Sequence, residues 1–147
     1  MSQLGRLIKH HAAFLQAMPG TVYFVTAGSG ISTLWMSRRV TRMTGFSPSQ
    51  FVRDPQFWRS RLHPDDYERV IKNFVELKDV KEVQCMYRWR CADETYRWFI
   101  DRAALHCDIS GTPVEIVGMW VELVTCSALD KINCLLRDAK TTSKKQP

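Results

Sequence analysis

No stretch of the 147-residue chain approaches the roughly 20 consecutive apolar residues that a membrane-spanning helix requires. Its first residues, Met1 to Lys9, lack the basic-then-apolar order of a secretory signal. No two cysteines form a C-x-x-C pair, which removes zinc-knuckle and thioredoxin-like motifs. Residues 1–84 hold no cysteine at all. Cys85, Cys91, Cys107, Cys126 and Cys134 are odd in number and scattered, which fits a reducing cytoplasm. Gly28 and Gly30 are not followed by the G-x-x-x-x-G-K-[ST] of a phosphate cradle and read as a hairpin loop. A basic face is missing too. The formal charge of +6 resides in residues 1–17 (+2) and 131–147 (+4), whereas residues 18–130 carry 14 basic and 14 acidic groups. Phosphate binding asks for a basic surface on the folded body, and this body is neutral.

What is present suits one compact domain with short extensions: 45% of residues are hydrophobic, enough for a packed core. Leu4, Leu7, Ile8, His11, Phe14, Leu15 and Met18 recur at helical spacing and predict an amphipathic helix ending before Pro19-Gly20. Residues 20–36 read as two strands around Ala27 to Gly30. Short helices follow. Ser37 is expected to cap the first and Gly45 to end it, while Ser47-Pro48 opens the second. His63-Pro64-Asp65-Asp66 is the clearest helix start, with proline and two carboxylates at the positive end of the helix dipole. From Val83 to Cys91 the alternation is strict, with Val83, Cys85, Tyr87, Trp89 and Cys91 on one face. Two further strands are expected over Tyr96–Cys107 and Val114–Val124, with a bulge or close backbone approach at Gly118. Leu129, Ile132, Leu135 and Leu136 form one helical stripe before the polar tail.

That order and several segments resemble the PAS fold, in the group called PAS_3 or PAS/PAC. The segments are Pro19 to Tyr23, Ser37 with Thr44-Gly45-Phe46-Ser47-Pro48, and Phe57-Trp58 with Leu62-His63-Pro64-Asp65-Asp66. Tyr87 to Arg90, Tyr96 to Asp101, Gly111-Thr112-Pro113 and Ile116-Val117-Gly118 complete the set. The resemblance implies an α+β fold: a five-stranded antiparallel sheet with short helices over one face, flanked by N- and C-terminal helices. It divides the chain into a leading helix (1–17), a sensory domain (18–125), a connector helix (126–139) and a basic tail (140–147). Three departures stand out. The glutamate usual just before Tyr87 is Met86, which removes a carboxylate from that face of the sheet. The family's hairpin glycine is Glu94 here, so a different turn is expected. Its closing D-I-T is Glu122-Leu123-Val124, which weakens the expected link to an output helix.

In such a fold a ligand lies between sheet and helices, which makes Phe24, Trp35, Trp58, Phe74, Tyr87, Trp89, Trp98 and Trp120 the pocket candidates. Core filling explains the same aromatics. His63 with Asp65 and Asp66 forms an acid–base trio on paper, but helix capping accounts for it, so no catalytic residue is expected. No metal site is expected, and no cofactor is required. Haem is a minority reading resting on His63 or His106 as the axial ligand. A photoreactive flavin needs a cysteine among the helices, where there is none. Arg88, Arg90 and Arg97 suit anions or RNA, with cross-strand pairing to Asp93, Asp101 and Glu115 as the alternative.

The resemblance thus implies a sensory or regulatory domain of a bacterial-type signalling protein such as a histidine kinase, a diguanylate cyclase or a chemotaxis transducer. Its partners would be a small-molecule ligand, a downstream effector and a second copy of the chain, with no nucleic acid. Leu7, Phe14, Glu122, Leu129 and Ile132 are the dimer and coupling candidates. A ligand-free dimerisation module, a haem-based gas or redox sensor and a small enzyme are the alternatives.

Overall fold

The computed structural model describes residue 11 and residues 13–28 and 30–123. Leu7, Leu129, Ile132 and the expected connector helix lie outside the described residues. Of the leading helix, residues 13–17 are helical.

Five antiparallel strands form one sheet: β1 (Thr21–Thr26), β2 (Thr33–Met36), β3 (Glu82–Arg90), β4 (Tyr96–Cys107) and β5 (Pro113–Glu122). Their order across the sheet is β2-β1-β5-β4-β3. The β1–β5 pairing, from Thr21 opposite Trp120 to Thr26 opposite Glu115, unites strands almost 100 residues apart in sequence. Between the two strand groups run α1 (Arg39–Thr44), α2 (Pro48–Arg53), α3 (Phe57–Ser60) and α4 (Pro64–Val80). They cover one face of the sheet and form with it an α+β architecture of two layers.

Local chemistry explains most boundaries. Pro48 occupies the first turn of α2, and Gln50 Oε1 accepts from Ser47 N at 2.9 Å in a capping box. Pro64 opens α4 and His63 Nδ1 accepts from Asp65 N at 3.2 Å. Val70, Phe74 and Leu77 then fall on one buried stripe of α4, while Val75 is exposed. Gly45, at φ 81°, ends α1 in the left-handed region.

Two expectations are corrected. Ser37 does not cap α1, whose N-cap is Arg38 without a side-chain bond. The Ser37 hydroxyl instead accepts from Val22 N at 3.1 Å, fastening the start of α1 to β1. The β3–β4 turn also keeps the left-handed geometry of a glycine, because Glu94 itself adopts φ 62°. Arg90 and Arg61 hold its carboxylate at 3.2 and 3.5 Å.

The core lies between the sheet's inner face and the helices. Tyr87, Trp89, Phe99 and Trp120 are at most 1% exposed and pack against Phe51 from α2 and Phe74 from α4. Full burial of each such side chain stabilises the fold by about 1.5–3 kcal/mol. The helical layer is tied to the sheet edge by backbone as well. His63 N donates to Arg88 O at 3.0 Å and Arg90 N to Arg61 O at 2.9 Å.

Candidate ligand-binding site

Alternation along β4 points Phe99, Asp101 and Ala103 into the core, so a carboxylate stands in a row of buried apolar groups. Asp101 is 3% exposed. An unpartnered charge there would be costly, and two phenols supply the partners. Tyr23 Oη on β1 donates to Oδ1 at 2.7 Å, and Tyr87 Oη on β3 donates to Oδ2 at 2.7 Å. Trp58 Nε1 on α3 donates in turn to Tyr87 Oη at 3.1 Å. One polar chain therefore runs from a short helix through three strands.

Gly118 makes this possible. It sits opposite Tyr23 across the β1–β5 ladder. A Cβ at that position would lie 2.1 Å from the Tyr23 ring. Only a bare backbone lets the phenol cross β5 to reach Asp101 on β4. The close approach expected at Gly118 is thus made by a side chain that the site needs.

Burial dominates the electrostatics. It pushes the Asp101 carboxyl up to about 6, although the bonds from Tyr87 and Tyr23 pull the other way. Burial, reinforced by the nearby Asp101 charge, raises both tyrosines well above their usual range, so they remain donors. The same causes push the Cys85 thiol, opposite Asp101 on β3, up to about 12. Cys85 is therefore inert filler and not a nucleophile.

Beside this network is a cavity of about 40 Å³, walled by Tyr23, Val25, Asp101 and Trp120 from the sheet. Phe51, Asp54, Pro55, Trp58, Arg59 and Phe74 close it from the helices, with Ile31, Thr33 and Met36 at the β2 side. Trp120, 1% exposed, has an indole Nε1 with no hydrogen-bond partner. Arg59 Nε is likewise buried and unpaired.

Of the aromatic candidates, Trp58, Phe74 and Trp120 line the cavity, and Tyr87 stands one hydrogen bond from it through Asp101. Trp89 fills the core beside Phe51, its Nε1 donating to Trp58 O at 2.9 Å. The other three are not brought to the cavity. Phe24 and Trp35 pair on the opposite face of the sheet, ring centroids 5.7 Å apart. Trp98 is on that same outer face, with the Arg88 guanidinium 5.2 Å from its ring centre. Sequence reasoning passed over Tyr23, Asp101 and Arg59. The inward register of Asp101 between Phe99 and Ala103 was the available signal.

The surface groups are engaged elsewhere. Arg88 forks onto Asp66 at 2.9 and 3.1 Å, and this bonding holds Asp66 down at about 2. Arg97 pairs with Asp93 and with Glu122, the latter at 3.2 Å. Asp101 and Glu115 do not pair with the arginines. Asp101 serves the tyrosines, and Glu115 lies 3.1 Å from His106 Nδ1. Neither His63 nor His106 lines the cavity. Phe14, 64% exposed, lies on the leading helical segment; Leu34 and Val52, each 44% exposed, border a shallow groove between that segment, β2 and α2.

A five-stranded sheet with helices on one face and a small polar-edged cavity between them defines an α+β domain, and comparison with known proteins makes the class specific. The PAS_3 (PAS fold) family matches residues 33–120, and the chain belongs to this family. A stretch of 71 residues is 34% identical to the two-component sensor PprA of Pseudomonas aeruginosa; it makes up 46% of this chain and 8% of that sensor. The N-terminal domain of a diguanylate cyclase with PAS/PAC sensor from Marinobacter aquaeolei superposes with a TM-score of 0.63 at 18% identity. It covers 70% of this chain and 94% of that one. Cycle PAS-B of Drosophila melanogaster with bound ethylene glycol gives 0.60 at 18% identity, over 70% and 99% of the two chains. The two structures establish the shared fold. Among the described residues no helix is long and apolar enough to cross a membrane.

Proposed function

We propose that this PAS domain is the sensory part of a bacterial-type signalling protein, a histidine kinase or diguanylate cyclase, and that its input is a small molecule held in the cavity. The observation that carries this reading is the buried Tyr23–Asp101–Tyr87 network bordering unfilled space. A domain needing only a packed core gains nothing from a carboxylate at its centre. The resemblance to a two-component sensor supports the signalling role, and ethylene glycol in Cycle PAS-B shows that a domain of this fold accepts a small polar molecule. Occupancy would shift the balance between two packings of α3 against the sheet, because Trp58 reaches Asp101 through Tyr87. The flanking segments would pass that shift to an effector. Chemistry by the chain itself is not part of the reading. The free thiols Cys85, Cys91 and Cys107 accord with a cytoplasmic setting.

Thermal unfolding across a panel of small polar metabolites tests the proposal. At least one compound should raise the melting temperature of the wild type and fail to do so in Val25→Met, which fills the cavity. If every compound affects the two proteins alike, the cavity is not the input. An absorption spectrum of the purified protein settles haem and flavin in the same preparation.

Dimerisation is the second reading, favoured by exposed apolar groups: Leu34 and Val52 at one groove, and Phe14 on the helical segment whose Ala13 and Gln16 line it. Phe14→Asp should then lower the sedimenting mass towards that of a monomer; an unchanged association state refutes it.

A further inference from the structure

The neutrality of residues 18–130 is the sum of two unlike parts. Residues 37–61, which hold α1, α2 and α3, carry six arginines against one acid, Asp54, for a net charge of +5. The rest of that stretch carries eight basic and thirteen acidic residues, a net of −5.

Ion pairing divides the arginines in nearly the same way. Every described arginine of α4 and the sheet is paired with a carboxylate, as is Arg61. Arg38, Arg39, Arg42, Arg53 and Arg59 have no carboxylate partner among the described residues. Arg39 and Arg59 are half-buried, whereas Arg38, Arg42 and Arg53 are exposed.

Helical geometry places these three. Arg38 has helical backbone angles, φ −60° and ψ −18°, so Arg42 stands one turn on along the same face of α1. Val40, Met43 and Thr44 are buried on the other side. On α2, Phe51 turns to the core and Arg53 stands one turn on from Ser49. Arg38 and Ser49 line one groove together with Leu34, Pro48 and Val52. Unpaired guanidinium groups thus stand beside two aliphatic side chains that are each 44% exposed, Leu34 and Val52.

The sign of the charge selects the occupant. Residues 1–17 and 131–147 are themselves basic, at +2 and +4, so these extensions of the chain have the wrong sign. Two copies meeting here symmetrically would set arginine against arginine. Single-stranded nucleic acid stacks its bases on exposed rings, and among the described residues Phe14, Tyr67 and Tyr96 are the exposed rings, none of them on α1, α2 or α3. A carboxylate matches the planar fork of arginine with two parallel bonds, and a polypeptide brings aliphatic side chains along with its carboxylates.

We propose that the face formed by α1 and α2 docks an acidic segment of a partner protein. Its carboxylates meet Arg38, Arg42 and Arg53, and an aliphatic anchor covers Leu34 and Val52 in the groove. None of the three arginines lines the cavity, so docking here stands apart from ligand binding there.

The probe is a fluorescein-labelled amphipathic peptide of leucine and glutamate. Its glutamine counterpart, an oligouridine RNA and phosphatidylglycerol vesicles are the comparisons. Anisotropy reads the peptides and the RNA, and co-sedimentation reads the vesicles. The glutamate peptide should bind at least about tenfold more tightly than the glutamine one, and Arg38→Gln with Arg53→Gln should weaken it about fivefold. Lys72→Gln with Lys78→Gln removes the same charge from α4 and should leave the affinity unchanged. Should the arginine variant not fold, Arg42→Gln alone takes its place, with a loss of about twofold expected. Equal affinity in the arginine and lysine variants overturns the site. Tighter binding of RNA or vesicles overturns the partner class, and no binding of the glutamate peptide overturns the inference outright. A sedimenting mass that differs between wild type and the arginine variant assigns the face to a second copy instead.

Discussion

A buried acid with a raised pKa makes a domain less stable as it ionises, and Asp101 allows the size of that effect to be worked out. The carboxyl stands near 3.8 in the unfolded chain and is pushed up to about 6 by burial in the native state. Between these values the native protein holds a proton that the unfolded chain has released. Stability from this group is therefore fully present below about pH 4 and is lost as pH rises through 6. A shift of just over two units corresponds to about 3 kcal/mol, at roughly 1.4 kcal/mol per unit. That is a large share of the ~5–15 kcal/mol by which domains are ordinarily stable. Asp101→Asn removes the titration and preserves shape, with the amide oxygen accepting from one phenol and the amide N–H donating to the other. Urea unfolding followed by tryptophan fluorescence at pH 4 to 7.5 should show the variant gaining about 3 kcal/mol relative to wild type across the range. Most of that gain should fall between pH 4 and 6. Parallel profiles for the two proteins would refute the reasoning, as would a native Asp101 that titrates below pH 4 by NMR. The ordinary carboxylate Asp66 supplies the contrast, since its native value of about 2 makes it stabilising as pH rises.

Two substitutions test the backbone around the site. Gly118→Ala should cost about 1–3 kcal/mol in urea unfolding, because its methyl group would fall within the Tyr23 ring. It should also lower the Tyr23 phenol pKa, read by ultraviolet titration, as the ring leaves Asp101; an unshifted phenol would show that the ring does not depend on this glycine. Glu94→Gly should stabilise the domain by about 0.5–1 kcal/mol, relieving a left-handed residue at the cost of its ion pairs with Arg90 and Arg61. A loss of stability would mean that those ion pairs outweigh the backbone strain.

Local and long-range determinants of this fold divide along a physical line. Helix starts at Ser47-Pro48 and His63-Pro64 were legible because capping and proline geometry act within four residues. The inward face of β3, with Cys85, Tyr87 and Trp89, followed from period-2 alternation alone. Ser37 was misjudged because its hydroxyl serves a strand 15 residues back. Glu94 was misjudged because ion pairs from Arg61 and Arg90 accompany a conformation its own side chain disfavours. Among the aromatic candidates, type was informative and face was not. Phe24, Trp35 and Trp98 have the composition of a pocket wall but the register of the sheet face turned away from the helices.

By itself, then, the sequence determined the order of elements, the family and the neutrality of the body, all properties carried by neighbours along the chain or by composition. Only the tertiary structure decided the site. Tyr23, Tyr87 and Asp101 belong to three different strands, and they meet because β5 inserts between β1 and β4 with Gly118 under the Tyr23 ring. Pairing across such distances depends on register, and a slip of one residue would turn Asp101 out to solvent. The chain encodes the carboxylate, but the five-stranded sheet buries it between two phenols.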